Sequence, residues 1–290
     1  MSPTVHNPKR AAVMILLASS LYAATTIIAK YLGTTENPLH PFQVSAGRFV
    51  FAFAALLIFS AITRPKISNP HIALHVGRSL TGWIGVTLMF TAVARIPISD
   101  ATAISFLNPV FGMLLAIPIL GEKVGKWRWS AAVIALIGAV ILLRPGTGSF
   151  EPAALFALGA ACVFGLEVTL IKLLSGREPP MQILLFNNAI GATLAAVAAC
   201  FVWTTPSLVQ WGGLAAIGLI MVCGQALFIQ AMRNAEASYV LPFSYATLVF
   251  ATFYDFWVFS THPDGVSVLG ALVILGGAAL LAWRELKVKG

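Results

Sequence analysis

The chain alternates between apolar stretches of about 20 residues and short polar connections. Ten stretches stand out: 10–32, 41–62, 72–93, 99–120, 127–144, 152–174, 181–203, 209–231, 237–259 and 265–284. At a helical rise of about 1.5 Å per residue, each is long enough to cross a hydrocarbon layer of about 30 Å. The connections, 5 to 10 residues, leave no room for a soluble domain. The pattern predicts an all-α membrane protein of ten transmembrane helices. The fourth stretch is irregular. Asn108-Pro109 falls near its middle, Pro118 makes a second break, and Gly121-Glu122-Lys123 ends it. A proline removes one backbone hydrogen bond and kinks the helix. In lipid, the freed groups need a neighbouring helix or a wet cavity. This span is therefore expected to line a cavity, with hinges at Pro109 and Pro118.

The pattern repeats. FTAVARIPISDATAISF (90–106) aligns with FIQAMRNAEASYVLPFS (228–244), and LYAATTIIAKYL (21–32) with VFGLEVTLIKLL (163–174). ALIGAVILL (135–143) resembles ILGGAALLA (274–282), at an offset that stays between 138 and 142. Residues 1–146 and 147–290 thus read as two five-helix repeats. Five is odd, so the second repeat must enter the membrane inverted. Inverted repeats place a substrate site near the midplane, between the halves.

Charge sets the orientation. With the N-terminus in the cytoplasm, fourteen Lys and Arg lie inside, Arg78 counted among them. Lys30, Arg95 and Arg144 lie at outer ends, and Arg48 falls within a span. This positive-inside bias predicts cytoplasmic termini. It also explains the net charge of +8 without a nucleic-acid partner. The composition, 59% apolar and 10% charged, agrees with a lipid-embedded chain. Lys9-Arg10 and the apolar residues after them resemble a signal peptide, but the run continues to about Leu32 and reads as a first transmembrane helix. Cys162, Cys200 and Cys223 fall in three different spans without metal spacing. No metal or cofactor is expected.

The proline-centred span with Ala101 to Pro109, the following Gly121-Glu122 and the AAVIALIGAVIL helix resemble the drug/metabolite transporter superfamily, EamA type. The aromatic-rich interior looks most like the YddG-type amino-acid exporters. The resemblance implies a transporter, and the narrower match implies export of aromatic and other apolar amino acids. The second half departs from the pattern: its Gly-Glu is absent and Pro242 sits earlier in its span than Pro109.

Polar residues inside spans are candidate functional groups. Arg48 either meets a substrate carboxylate or snorkels outward. Glu167 either contacts substrate or a proton, or pairs with Lys172. Asp255, a turn from the outer end, is expected to take a boundary role or to pair with Arg48 or Arg95 rather than to touch substrate. Asn187-Asn188 either make a gating or packing network or touch substrate; Asn108 serves the kink or the substrate, and Gln225 falls near the midplane. Tyr22, Trp83, Phe90, Phe164, Tyr239 and Tyr245 complete the expected cavity lining, while Pro109, Pro118, Pro242, Arg48 and Asp255 are the expected hinges and gates. Ser79, Trp83 and Thr87 form one polar-aromatic stripe at helical spacing. The fifth and tenth spans are rich in Ala and Gly and read as braces or a homodimer contact.

Enzyme chemistry finds little footing. His71 and His75 are four apart but lack an HExxH glutamate, and no Ser/His/Asp set shares one depth. There is no Walker A motif, so a secondary transporter of a small amphiphile such as an amino acid is expected. A nucleotide-sugar or drug-like cation carrier is the alternative, with a non-transporting scaffold behind it. Nucleotide sugars would need several cations, and in sequence only Arg48 lies well inside a span.

Overall fold

A computed structural model of the protein describes residues 8–65, 67, 69–120, 126–143, 151–175, 177–234, 243–244 and 246–288. Every regular element among them is helical. The elements are α1 (Pro8–Thr34), α2 (Pro41–Thr63), α3 (Ile72–Val93), α4 (Ile98–Ser105), α5 (Asn108–Leu120), α6 (Lys126–Leu143), α7 (Ala154–Ser175), α8 (Pro180–Cys200), α9 (Leu208–Asn234), α10 (Ala246–Phe259) and α11 (Gly265–Val288). Each predicted span has its helix, and α4 with α5 make one broken span. Seven spans are long and apolar enough to cross a membrane as described; 132–141, Ala246–Phe259 and Gly265–Gly277 are shorter apolar helices. Prolines open α2 and α8 at positions where an N–H would have no helical partner. At α2, His40 also accepts the Phe42 N–H at 3.2 Å.

The break in the fourth span falls at Phe106 and Leu107. Leu107 N–H turns back to Ile104 O at 3.0 Å, and the Leu107 carbonyl accepts from Val110 and Phe111 to start the next helix. Pro109, which has no N–H to give, thus stands in the first turn of α5 rather than inside a continuous helix. The expected second break is absent: α5 runs through Pro118 to Leu120. Pro118 sits in the last described turn at an exposed position, where one lost hydrogen bond leaves the helix intact. Tyr239, Pro242, Tyr245 and the Gly121-Glu122-Lys123 stop lie outside the described residues.

The packing follows the repeat. α1 lies along α9 as α7 lies along α3, α10 meets α1 as α5 meets α7, and α2 meets α9 as α8 meets α3. α2 packs on its own mate α8, and α6 on its mate α11. Two contacts make this symmetry concrete. A Cβ at Gly85 of α3 would stand 2.6 Å from the Phe164 ring, and one at Gly224 of α9 would stand 2.8 Å from the Tyr22 ring. Tyr22 and Phe164 are repeat mates, and so are the two glycines, 139 residues apart. Each aromatic ring needs a missing side chain opposite it.

The small-residue fifth and tenth spans brace each other. A Cβ at Gly138 would meet Ile274 N at 2.7 Å and Gly270 O at 2.9 Å, so backbone approaches backbone there. Outward-facing positions around the bundle, such as Ile58, Val168, Val197 and Leu272, are apolar and exposed. The buried polar residues are gathered inside and at the two ends.

Candidate functional site

Three charged side chains meet where α2, α3 and α7 face the bundle interior. Arg78 of α3 lies 3.8 Å from Glu167 of α7. That separation allows ion pairing but is too long for a hydrogen bond. The Arg78 Nη1 also donates to the Ile183 carbonyl of α8 at 3.3 Å. Gly82, one turn along α3, makes room for the Glu167 carboxylate: a Cβ there would stand 2.9 Å from Oε1. Glu167 keeps 17% of its side-chain surface although Arg78 lies against it, so space opens beside it. Arg48 of α2 is 5% exposed and within electrostatic reach of Glu167, Tyr22 and Arg78. Its guanidinium lies 4.1 Å from the centre of the Phe49 ring, while Nε and Nη1 have no hydrogen-bond partner among the described residues.

Polar and aromatic groups surround these charges. Tyr22 of α1 is reached by the fields of both Arg48 and Glu167. Trp83 of α3 packs against the apolar cluster of α2 and α8 that contains Phe49 and Ala192, 5.9 Å from the Phe42 ring. Trp83 Nε1, Ser79 Oγ, Asn187 Oδ1 and Gln225 Oε1 are buried without a partner among the described residues. Asn188 donates to Leu184 O at 2.9 Å, and its Oδ1 is likewise buried without a partner among the described residues. Asn108 starts α5 with its carbonyl turned to Gly165 of α7. Phe90 is part of the main apolar core at 4% exposure, so it packs rather than lines open space.

Asp255 is not bound to Arg48 or Arg95. It pairs with Lys30 of α1, whose Nζ donates at 2.7 Å, and accepts the Ile98 N–H at 2.8 Å. Lys30 also lies 4.6 Å over the Phe259 ring. This cluster ties α1, the start of α4 and α10 together at one end of the bundle. Arg95 instead donates to the Thr91 carbonyl of its own helix turn.

The opposite end, where α1 begins and α11 finishes, holds a second cluster. The Glu178 carboxylate, between α7 and α8, accepts the His71 N–H at 2.7 Å and lies 3.0 Å from His71 Nδ1. His75 Nε2 is 2.6 Å from its other oxygen, which also accepts from Gln182 at 2.7 Å. Burial pushes the Glu178 carboxyl up, but the His71 backbone and the two imidazoles outweigh it and hold it down at about 2. A carboxylate held below its ordinary 4.5 adds stability above that value and loses it as pH falls toward 2. Wild-type protein is therefore expected to lose thermal stability between about pH 5 and 3 more steeply than Glu178→Gln. Scanning fluorimetry in detergent across that range checks it, and parallel curves would count against the cluster. Among the described residues no group has the makings of a metal site.

Sequence reasoning misses Arg78, Lys30 and Glu178 as members of clusters. Arg78 reads as a flanking cation, although it stands six residues inside its span. That depth is the available signal. With it, two arginines rather than one lie within the bundle.

The sequence model of the EamA-like transporter family matches residues 9–144 and again 151–283. An S-adenosylmethionine uptake transporter of Rickettsia prowazekii is 28% identical over 284 residues, covering 95% of this chain and 92% of that protein. A riboflavin transporter of Vibrio cholerae is 27% identical, covering 97% and 96%. A pseudopaline exporter of Pseudomonas aeruginosa is 24% identical, covering 92% and 94%. A solved crystal structure shares the fold, with a TM-score of 0.63 and 20% identity, over 97% of this chain and 98% of that one. None of these relatives is named as an amino-acid exporter, so the narrower resemblance is not carried by them.

Proposed function

Because the chain belongs to the EamA-like transporter family, we propose that it is a secondary transporter that moves small amphiphilic metabolites through the bundle centre by alternating access. The favoured solutes are aromatic and other apolar amino acids, exported across a cell inner membrane. The observation that carries this reading is the buried Arg48–Arg78–Glu167 group, shared between helices of the two repeats. Charges inside a bilayer are costly and stay where they serve a pathway. Tyr22, Trp83 and Phe164 supply apolar surface beside it. A second reading, a larger amino-acid derivative such as S-adenosylmethionine, is favoured by the Rickettsia relatives. The relatives include proteins named for uptake and for export, so direction is part of the proposal.

In this reading both termini are cytoplasmic. The Lys30–Asp255 cluster then closes the outer end and the Glu178 cluster the inner end. The broken span swings at Phe106 to Pro109. Pro109→Ala is expected to slow transport several-fold and leave the order of solute preference unchanged; a changed order at unchanged rate would sink the hinge. The test of the function itself is counterflow in liposomes with labelled amino acids, S-adenosylmethionine and riboflavin. Exchange of apolar amino acids supports the favoured reading. Exchange of S-adenosylmethionine alone supports the second. No exchange of any member overturns both.

A further inference from the structure

We propose that the solute carries a carboxylate and that Arg48 receives it. This rests on the reading of the chain as a carrier with a central site, and it names the chemistry that site selects.

Arg48 is the starting point. It is buried in α2, and two of its three nitrogens have no hydrogen-bond partner among the described residues. A buried guanidinium without an anion is one of the most costly arrangements a fold can keep. The Phe49 ring, at 4.1 Å, offsets only part of that cost.

Most described acids have other employment. Asp255 holds Lys30 and the start of α4. Glu178 holds His71, His75 and Gln182 at the far end of α3. Asp100 accepts from Ser267, and Asp264 accepts the Ser267 N–H, both outside the centre. Glu36 and Glu151 are exposed. Among the described acids Glu167 alone reaches the centre, and it must serve Arg78 and Arg48 together. Two guanidinium charges therefore face one carboxylate, and a solute carboxylate would complete the balance. Arginine is the side chain best shaped for that partner.

The rest of the site extends the match. Glu167 is only loosely paired at 3.8 Å and keeps some open surface, so it can meet an ammonium group. Trp83 Nε1 and Asn187 Oδ1 add an unused donor and an unused acceptor, with Trp83 packed against the apolar cluster that contains Phe49, the ring that Arg48 covers. An α-amino acid, or a larger molecule that keeps the amino-acid head, meets both charges. A plain amine or a neutral heterocycle leaves Arg48 unpaired.

The experiment uses the full chain, first in detergent and then in liposomes. Apolar amino acids and S-adenosylmethionine are each compared with their carboxamide or methyl ester. The free acids are expected to raise the unfolding temperature and drive counterflow. The capped forms should be roughly ten- to hundred-fold weaker, the worth of a charged hydrogen bond. Arg48→Gln should erase that difference, and Arg48→Lys should keep part of it. If Arg48→Gln fails to fold, the lysine variant and the wild-type comparison still decide. Equal handling of acids and capped forms by the wild type overturns the proposal and leaves transport standing. An unchanged preference in folded Arg48→Gln also overturns it. Acid-dependent stabilisation without flux keeps the proposal and overturns the transport reading. Neither stabilisation nor flux by any acid or capped form overturns both.

Discussion

Asp255→Asn is expected to lower the unfolding midpoint sharply, with a loss of about 3 kcal/mol, the lower part of the range for breaking a buried ion pair. The carboxylate is 1% exposed and holds two donors of different kinds, the Lys30 ammonium and the Ile98 backbone N–H. Asparagine keeps one acceptor oxygen but strands the Lys30 charge, which is only 13% exposed. The lower part of the range applies because Lys30 retains that exposure and the Phe259 ring. Adding Lys30→Met should restore most of the loss, because the stranded cation is gone and the introduced amide can still accept from Ile98. A charge swap should not restore it, because a lysine at that position leaves the Ile98 N–H unsatisfied. Thermal unfolding in detergent, read as monodisperse protein after heating, compares the three variants with wild type. A single variant as stable as wild type would show the pair to be dispensable.

The second large effect is steric. A Cβ at Gly165 would stand 2.6 Å from Gly112 N, 2.8 Å from Phe111 Cβ and 2.9 Å from Asn108 O. Two of those atoms are backbone in the opening turns of α5, so no rotamer can relieve the contact. Thr169 ties the same seam, its hydroxyl bonding to Gly165 O at 3.0 Å and reaching Gly112 O at 3.5 Å. Gly165→Val must push α5 from α7 beside the break in the fourth span. The cost is expected to exceed the usual overpacking range of about 1–3 kcal/mol, and the yield of folded protein to collapse. Gly276→Ala is the control, since a Cβ there meets nothing within 4 Å. Equal yields from the two variants would contradict the packing. Gly85→Ala differs in kind: its obstacle is the Phe164 ring, so a smaller residue at 164 should relieve it.

Much of the architecture is legible in the sequence because lipid leaves few choices. A backbone in hydrocarbon must satisfy its own N–H and C=O groups, so an apolar run of 20 residues is a helix before any packing is known. Asn108-Pro109 marks the break for the same reason: proline cannot close the hydrogen bond that would carry α4 into α5. The offset between the halves likewise foretells which helices are mates, and α1 on α9 against α7 on α3 follows it. Pro118 reads as a second break, yet α5 carries on through it to Leu120, because a single missing N–H costs one hydrogen bond and not the helix.

The centre is less legible. Glu167 and Arg48 show themselves as charges within apolar runs. Arg78 does not, because hydropathy cannot say whether a charge near a span end turns outward or into the bundle. Phe90 and Phe164 look alike in sequence, yet one is sealed in the core and the other sits on Gly85.

By itself, then, the sequence determined the helices, the break, the repeat and the inversion, because these follow from local hydrogen bonding and the apolar environment. The tertiary structure decided the partners: Lys30 for Asp255, His71 and His75 for Glu178, Arg78 for Glu167, and for Arg48 no anion of its own among the described residues. Helical periodicity assigns a residue to a face of its own helix. Which residue stands opposite depends on a neighbour far away in the chain, and only packing brings the two together.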